Sequence, residues 1–257
     1  FKVECPVCHG VFPRNDFQPW NTEGLKGKPD EGPEPTDHGL GWLDKRDGRR
    51  YYFVPYYVFW QRWNRDILGS LNALSQAYLV SGDPVYAHKC GLMLAKIGSM
   101  YDRFNYPEQC YHEGRFGVNG RISDYIWSTG NDSTIALAYD GIVPALAGDA
   151  ELAAFLKAHG VADARQAIEG MLFIMAKDVM SGYVAGNMGM HQITLCNLAI
   201  VLDNQDATRG PTTKDMADWL MSGGGRLEDL LWNGFQREGI GAESAPGYST
   251  GWGVHFY

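Results

Sequence analysis

The sequence predicts an all-α fold, arranged as an incomplete α/α toroid of antiparallel helix pairs. Three observations carry that expectation. Apolar residues recur at three- and four-residue steps through most of the chain after residue 50, short turn signals separate the periodic stretches, and no run alternates as a β-hairpin would. With 45% hydrophobic residues in 257, the chain has enough apolar surface to bury a large core.

Residues 1–50 form an irregular lead-in, rich in Pro, Gly and charge around Lys26–Pro35. Residues 51–257 form the helical domain. Ile67, Leu71, Leu74 and Tyr78 mark a first helix, closed by Ser81-Gly82-Asp83-Pro84, which also opens the next; Tyr86, Cys90, Met93, Ile97 and Met100 repeat the spacing, giving a helical hairpin. A third helix is expected over 132–147, capped by Asn131 or Asp132, with Ile135, Ala138 and Tyr139 on one face. A fourth covers 163–178 through Ile168, Leu172 and Met175. The stretch 191–202, HQITLCNLAIVL, is apolar almost all round and reads as a helix buried on every side. Turns of helix follow at 212–221 and 226–233, separated by Ser222-Gly223-Gly224-Gly225, where three glycines interrupt the helix. In a toroid, inner helices meet other helices on both sides, and their ends and loops line a central cleft where a long polymer fits.

A net charge of −8 argues against a nucleic acid or an anionic membrane as partner. No run approaches the roughly 20 apolar residues of a membrane-spanning helix. Eight Trp and fourteen Tyr exceed what core filling demands and suit a groove in which sugar rings pack on flat side chains. The chain starts at Phe1 without an initiator Met and stops in the apolar Val254-His255-Phe256-Tyr257, so a removed leading segment and a following domain are expected.

Five cysteines, at 5, 8, 90, 110 and 196, are an odd number for a disulfide framework. Cys5-Pro6-Val7-Cys8 reads as one knuckle of a structural zinc site, two thiolates on a tight turn whose amides face sulfur. Cys110 and His112 are the best completing ligands, ahead of His9, His38 and Cys90. A disulfide or two free thiols is the alternative.

Two segments carry chemistry. In Gly186-Asn187-Met188-Gly189-Met190-His191-Gln192, polar residues stand where the sequence turns apolar, at a helix N-terminus whose dipole favours a carboxylate. In Gly239-Ile240-Gly241-Ala242-Glu243-Ser244-Ala245-Pro246-Gly247-Tyr248, a turn delivers Tyr248 to the start of a new helix. Arg121, Trp127 and Asn131 lie in a polar, aromatic loop ahead of the third helix and are candidates to contact sugar or carboxylate, as are Gln192 and Glu243.

Together these segments make residues 50–257 resemble the heparinase II/III-like polysaccharide lyases, a group similar to oligoalginate lyases and dermatan-sulfate epimerases. The matching elements are Asn187 and His191 at the start of an inner helix, the Glu243–Tyr248 turn, and Ala138-Tyr139-Asp140 within the third helix. Here Met188-Gly189-Met190 separates Asn187 from His191, which stand side by side in the family pattern. The resemblance implies cleavage of a uronate-containing acidic polysaccharide by β-elimination. Asn187 and His191 would neutralise the uronate carboxylate so that an enolate-like intermediate forms, and Tyr248 would act as base, acid or both, with His191 able to share the base role. It also implies no catalytic cofactor, a following β-sandwich domain, and export to the periplasm or medium. Three other readings stand beside it: a uronyl epimerase using the same carbanion, a glycoside hydrolase using Glu243 with Asp132 or Asp140 across roughly 5–10 Å, and a non-catalytic glycan-binding protein.

Overall fold

A computed structural model describes residues 2–14, 28–38, 40–53, 58–104, 106, 119–187 and 189–233. Cys110, His112, Glu243 and Tyr248 lie outside the described residues. Among those described, the protein is mainly helical, with nine α-helices: α1 Gly69–Ser81, α2 Pro84–Gly98, α3 Trp127–Asp140, α4 Val143–Leu146, α5 Ala150–Ala158, α6 Ala164–Met180, α7 Met190–Leu202, α8 Thr213–Met221 and α9 Leu227–Asn233. A π-helical stretch, Val58–Leu68, leads into α1.

The lead-in is less irregular than its composition predicts. It contains two short antiparallel hairpins, β1 (Val3–Glu4) with β2 (Val11–Phe12) and β3 (Trp42–Asp44) with β4 (Arg49–Tyr51). Strands of two or three residues cannot display a period of two, so the pattern does not announce them. The buried carboxylate of Asp37 organises the second region by accepting the backbone N–H groups of Gly41 (2.9 Å) and Phe53 (2.7 Å).

Helix ends follow local chemistry. α1 closes on Gly82 in the left-handed conformation, and α2 opens with Asp83, whose carboxylate accepts the Val85 N–H, followed by Pro84 at the first helical position. Asp149, Asp163 and Thr212 cap α5, α6 and α8 in the same way. α5 is a helix that periodicity does not reveal, because it is short and buries only Leu152 and Leu156. The third helix starts at Trp127 rather than at 132. Asp124 accepts the N–H groups of Ile126 and Trp127, both at 3.0 Å, so Asn131 and Asp132 are buried inside α3 rather than capping it.

α1 and α2 form the expected hairpin, α2 packs on α6, and α7 packs on α3, α6 and α8. The core between them holds Leu71, Leu94, Ile135, Ile168, Met171, Leu172, Met175, Leu195 and Leu198, all essentially solvent-free. Each such side chain contributes roughly 2 kcal/mol of burial. The expectation that 191–202 is buried on every side is corrected: Cys196 is exposed and Ile200 is 67% exposed, so one stripe of α7 faces outward.

The α2–α6 crossing depends on a glycine. A Cβ on Gly98 would lie 2.4 Å from the Ala167 carbonyl oxygen, a backbone atom that cannot move independently of its helix. Gly98→Ala is therefore expected to force the helices apart and cost about 1–3 kcal/mol in chemical denaturation, although alanine is the better helix former.

Candidate functional site around His191

The site is built on the N-terminus of α7. Gly189 precedes the helix at φ 94°, a left-handed conformation that a side chain would resist. Its N–H is held by Gln192 Oε1 at 3.0 Å, while Gln192 Nε2 donates to the Gly225 carbonyl at 2.9 Å. Gln192 is buried and spends both ends of its amide inside the protein, so it positions the helix start rather than a sugar.

His191 is half-buried. Its Nδ1 lies 3.1 Å from the Gly186 carbonyl oxygen. A carbonyl only accepts, so Nδ1 carries the proton and the neutral ring presents Nε2 as an unprotonated acceptor. Nε2 has no partner among the described residues. Burial holds His191 below the ordinary histidine value, against the opposing hydrogen bond to Gly186, so the neutral form persists into mildly acidic solution.

The edge of the ring is met by Trp219 of α8, with centroids 6.2 Å apart at 76°. Trp219 is fixed in turn, because its Nε1 donates to the Met180 carbonyl at 3.0 Å. The glycines at 223–225 have a further purpose here: a Cβ on Gly224 would fall 2.7 Å from the Trp219 ring, and one on Gly225 2.7 Å from the Leu220 backbone. The glycine run read as a helix break is also the surface against which the indole lies. Asn187 is half-buried two residues before Gly189; its carbonyl accepts the Met190 N–H, and its carboxamide makes no hydrogen bond to another described residue.

The first turn of α3 adjoins this loop. The Thr129 methyl sits 3.3 Å from where a Gly186 Cβ would be, Ala185 N donates to the Tyr125 carbonyl at 3.2 Å, and Thr194 Oγ1 donates to the Thr129 carbonyl at 2.9 Å. Trp127, on the same first turn, is 57% exposed. Of the predicted sugar contacts among the described residues, it is the one that stands largely exposed. Asn131 is buried and donates to Ser123 Oγ at 3.1 Å.

Arg121 is likewise committed. Its Nε and Nη2 grip Asp178 at 2.5 and 3.2 Å, and its guanidinium lies over the rings of Tyr101 (5.6 Å) and Tyr183 (5.9 Å). Tyr101 donates to Asp132 Oδ1 at 3.2 Å, while Asp132 Oδ2 is buried without a partner among the described residues. Burial drives the Asp132 carboxyl well above the carboxylate range and the nearby Asp178 adds to this, against the Tyr101 hydrogen bond and Arg121. Asp132 is thus a buried internal acid whose charged form is disfavoured, out of reach of a glycosidic bond, and Asp140 stands exposed at the far end of α3. Tyr139 also points inward, donating to Glu169 at 2.9 Å.

Cys5 and Cys8 are free thiols; the N–H groups of Cys8 and Val7 and the Cys8 side chain hydrogen-bond to the Cys5 sulfur and hold its thiol below the usual value. Among the described residues no group of three or more His, Cys, Asp or Glu is placed to hold a metal. No described helix is long and apolar enough to cross a membrane. Comparison with protein-family models, with curated proteins and with solved structures finds no match for this chain.

Proposed function

We propose that the protein is an exported polysaccharide lyase that cleaves a uronate-containing acidic polysaccharide by β-elimination, on a toroidal helical domain followed by a β-sandwich. The observation that carries this reading is the state of His191: Nδ1 is bound to Gly186, Nε2 has no partner among the described residues, and the ring is half-buried against Trp219 at a helix N-terminus.

This geometry favours the base role for His191 over neutralisation of the carboxylate, since the neutral ring has no second proton to donate. Nε2 takes the C5 proton of the uronate, the C5–H electrons form the C4–C5 double bond, and the C4–O bond breaks. The leaving oxygen receives a proton from Tyr248, and the Asn187 carboxamide donates to the carboxylate as it gains enolate character. Trp127, exposed on the first turn of α3, offers a flat surface on which a sugar ring can stack.

Because burial lowers the pKa of His191, its basic form survives below the ordinary histidine value near 6.5. The acid limb of kcat/KM is expected to fall only as pH drops through that lowered value, so activity at pH 6.5 stays above half its plateau; a pH–rate profile checks this. The reading itself is tested by incubating the full-length protein with uronate polymers in deuterium oxide and examining the products by NMR. An unsaturated uronate at the new non-reducing end supports elimination. Deuterium at C5 of uncleaved chains identifies an epimerase, and saturated cleaved ends a hydrolase.

A further inference from the structure

We infer that the Cys5–Cys8 hairpin is a zinc-binding knuckle that supplies two thiolate ligands to a tetrahedral structural cation. β1 and β2 pair over only two residues each, Val3 with Phe12 and Glu4 with Val11, and the turn adds Cys5 N to the Gly10 carbonyl and His9 N to the Cys5 carbonyl, both at 2.9 Å. A ribbon this short is not stable by backbone pairing alone, and small hairpins of this kind persist when a metal or disulfide clamps them.

Its apolar content does not supply the clamp. Val7 at the tip is 87% exposed, Cys8 is exposed, and the half-buried Phe12 ring lies against Gly10 and beneath the guanidinium of Arg14, 5.6 Å from its centre. The turn is instead shaped around sulfur. The amides of Val7 and Cys8 hydrogen-bond to the Cys5 sulfur and the Cys8 thiol reaches the same atom, so the two sulfurs lie side by side on one turn. His9 holds φ 53°, and a Cβ on Gly10 would lie 3.3 Å from the Cys8 sulfur, so the chain curls closely beneath the pair. Amides directed at one sulfur, with a second thiol beside it, are what a bound thiolate pair requires: the N–H groups offset the negative charge that two thiolates bring to a dication. Among the described residues no third ligand joins them, so the knuckle is two corners of the tetrahedron.

The test uses the full chain, purified under reducing conditions and dialysed against a weak chelator, then assayed for zinc and reloaded with cobalt(II). The expected result is one zinc per chain, and for the cobalt form a sulfur-to-metal charge-transfer absorption with the visible bands of tetrahedral coordination. Both should disappear in Cys5→Ser/Cys8→Ser and persist in Cys90→Ser and Cys196→Ser. Far-UV circular dichroism of the double variant should keep its helical signal, because the knuckle lies outside the helical core. Thiol titration of wild type gives a second measurement, in which Cys5 and Cys8 become reactive only after a strong chelator is added. Absence of zinc with freely reactive thiols, a Cys5–Cys8 disulfide detected by mass, or cobalt bands unchanged in the double variant would each overturn the assignment.

Discussion

Arg121→Ala is expected to lower the stability of the helical domain by about 3 kcal/mol, read as a fall in Tm of roughly 10 °C. Arg121 is a cation close to two buried acids: it grips Asp178 through two nitrogens, and its guanidinium lies over the ring of Tyr101, whose hydroxyl donates to Asp132. Removing one member of a buried ion pair strands the other, which costs more than the pair was worth. The estimate stands at the low end of the range for such losses because the Arg121 side chain keeps 21% of its exposure and water can partly take its place. Asp178→Asn in the same background should recover much of the loss, since the stranded charge is then gone. Thermal unfolding of the single and double variants checks this. If Arg121 contacted substrate instead, KM would rise while Tm stayed within about 1 °C of wild type.

His191→Gln is expected to reduce kcat/KM by roughly 10²–10⁴-fold, the usual worth of a positioned general base. Stability should change by less than about 1 kcal/mol, because His191 is half-buried, makes one hydrogen bond, and meets Trp219 only at an edge. The split between the two readouts matters. A residue that only shaped the helix start would lose stability before rate, whereas a base loses rate with the fold intact. Retention of activity within a few-fold would place the base elsewhere.

Much of the helical architecture is legible in the sequence because its punctuation is local. Gly82, Asp83 and Pro84 end one helix and start the next through their own backbone preferences, and Asp163 and Thr212 cap within three residues. The start of α3 is misread because Ser128, Thr129, Asn131 and Asp132 resemble a polar loop, yet all four are buried. Their partners include Ser123, Thr194 and Tyr101, up to 65 positions away, and long-range compensation leaves no local trace. The same limit applies to the site. Gly189 and the change from polar to apolar sequence place His191 at a helix start, and the structure agrees. Neither Trp219 at the ring edge nor the Gly223–Gly225 seat beneath that indole is readable from spacing, because both depend on how α8 returns to α7. The predicted roles of Arg121, Asn131 and Gln192 as sugar contacts give way for the same reason: a polar residue looks available until its internal partner is known.

The most direct measurement is ultraviolet absorbance of the full-length protein incubated with alginate, heparan, chondroitin and hyaluronan in turn, beside His191→Gln and Tyr248→Phe. The account predicts a rise on one polymer, from the conjugated double bond of an unsaturated uronate, that is lost in both variants. New reducing ends on any of these polymers without that absorbance, or a rise undiminished in His191→Gln, would contradict it.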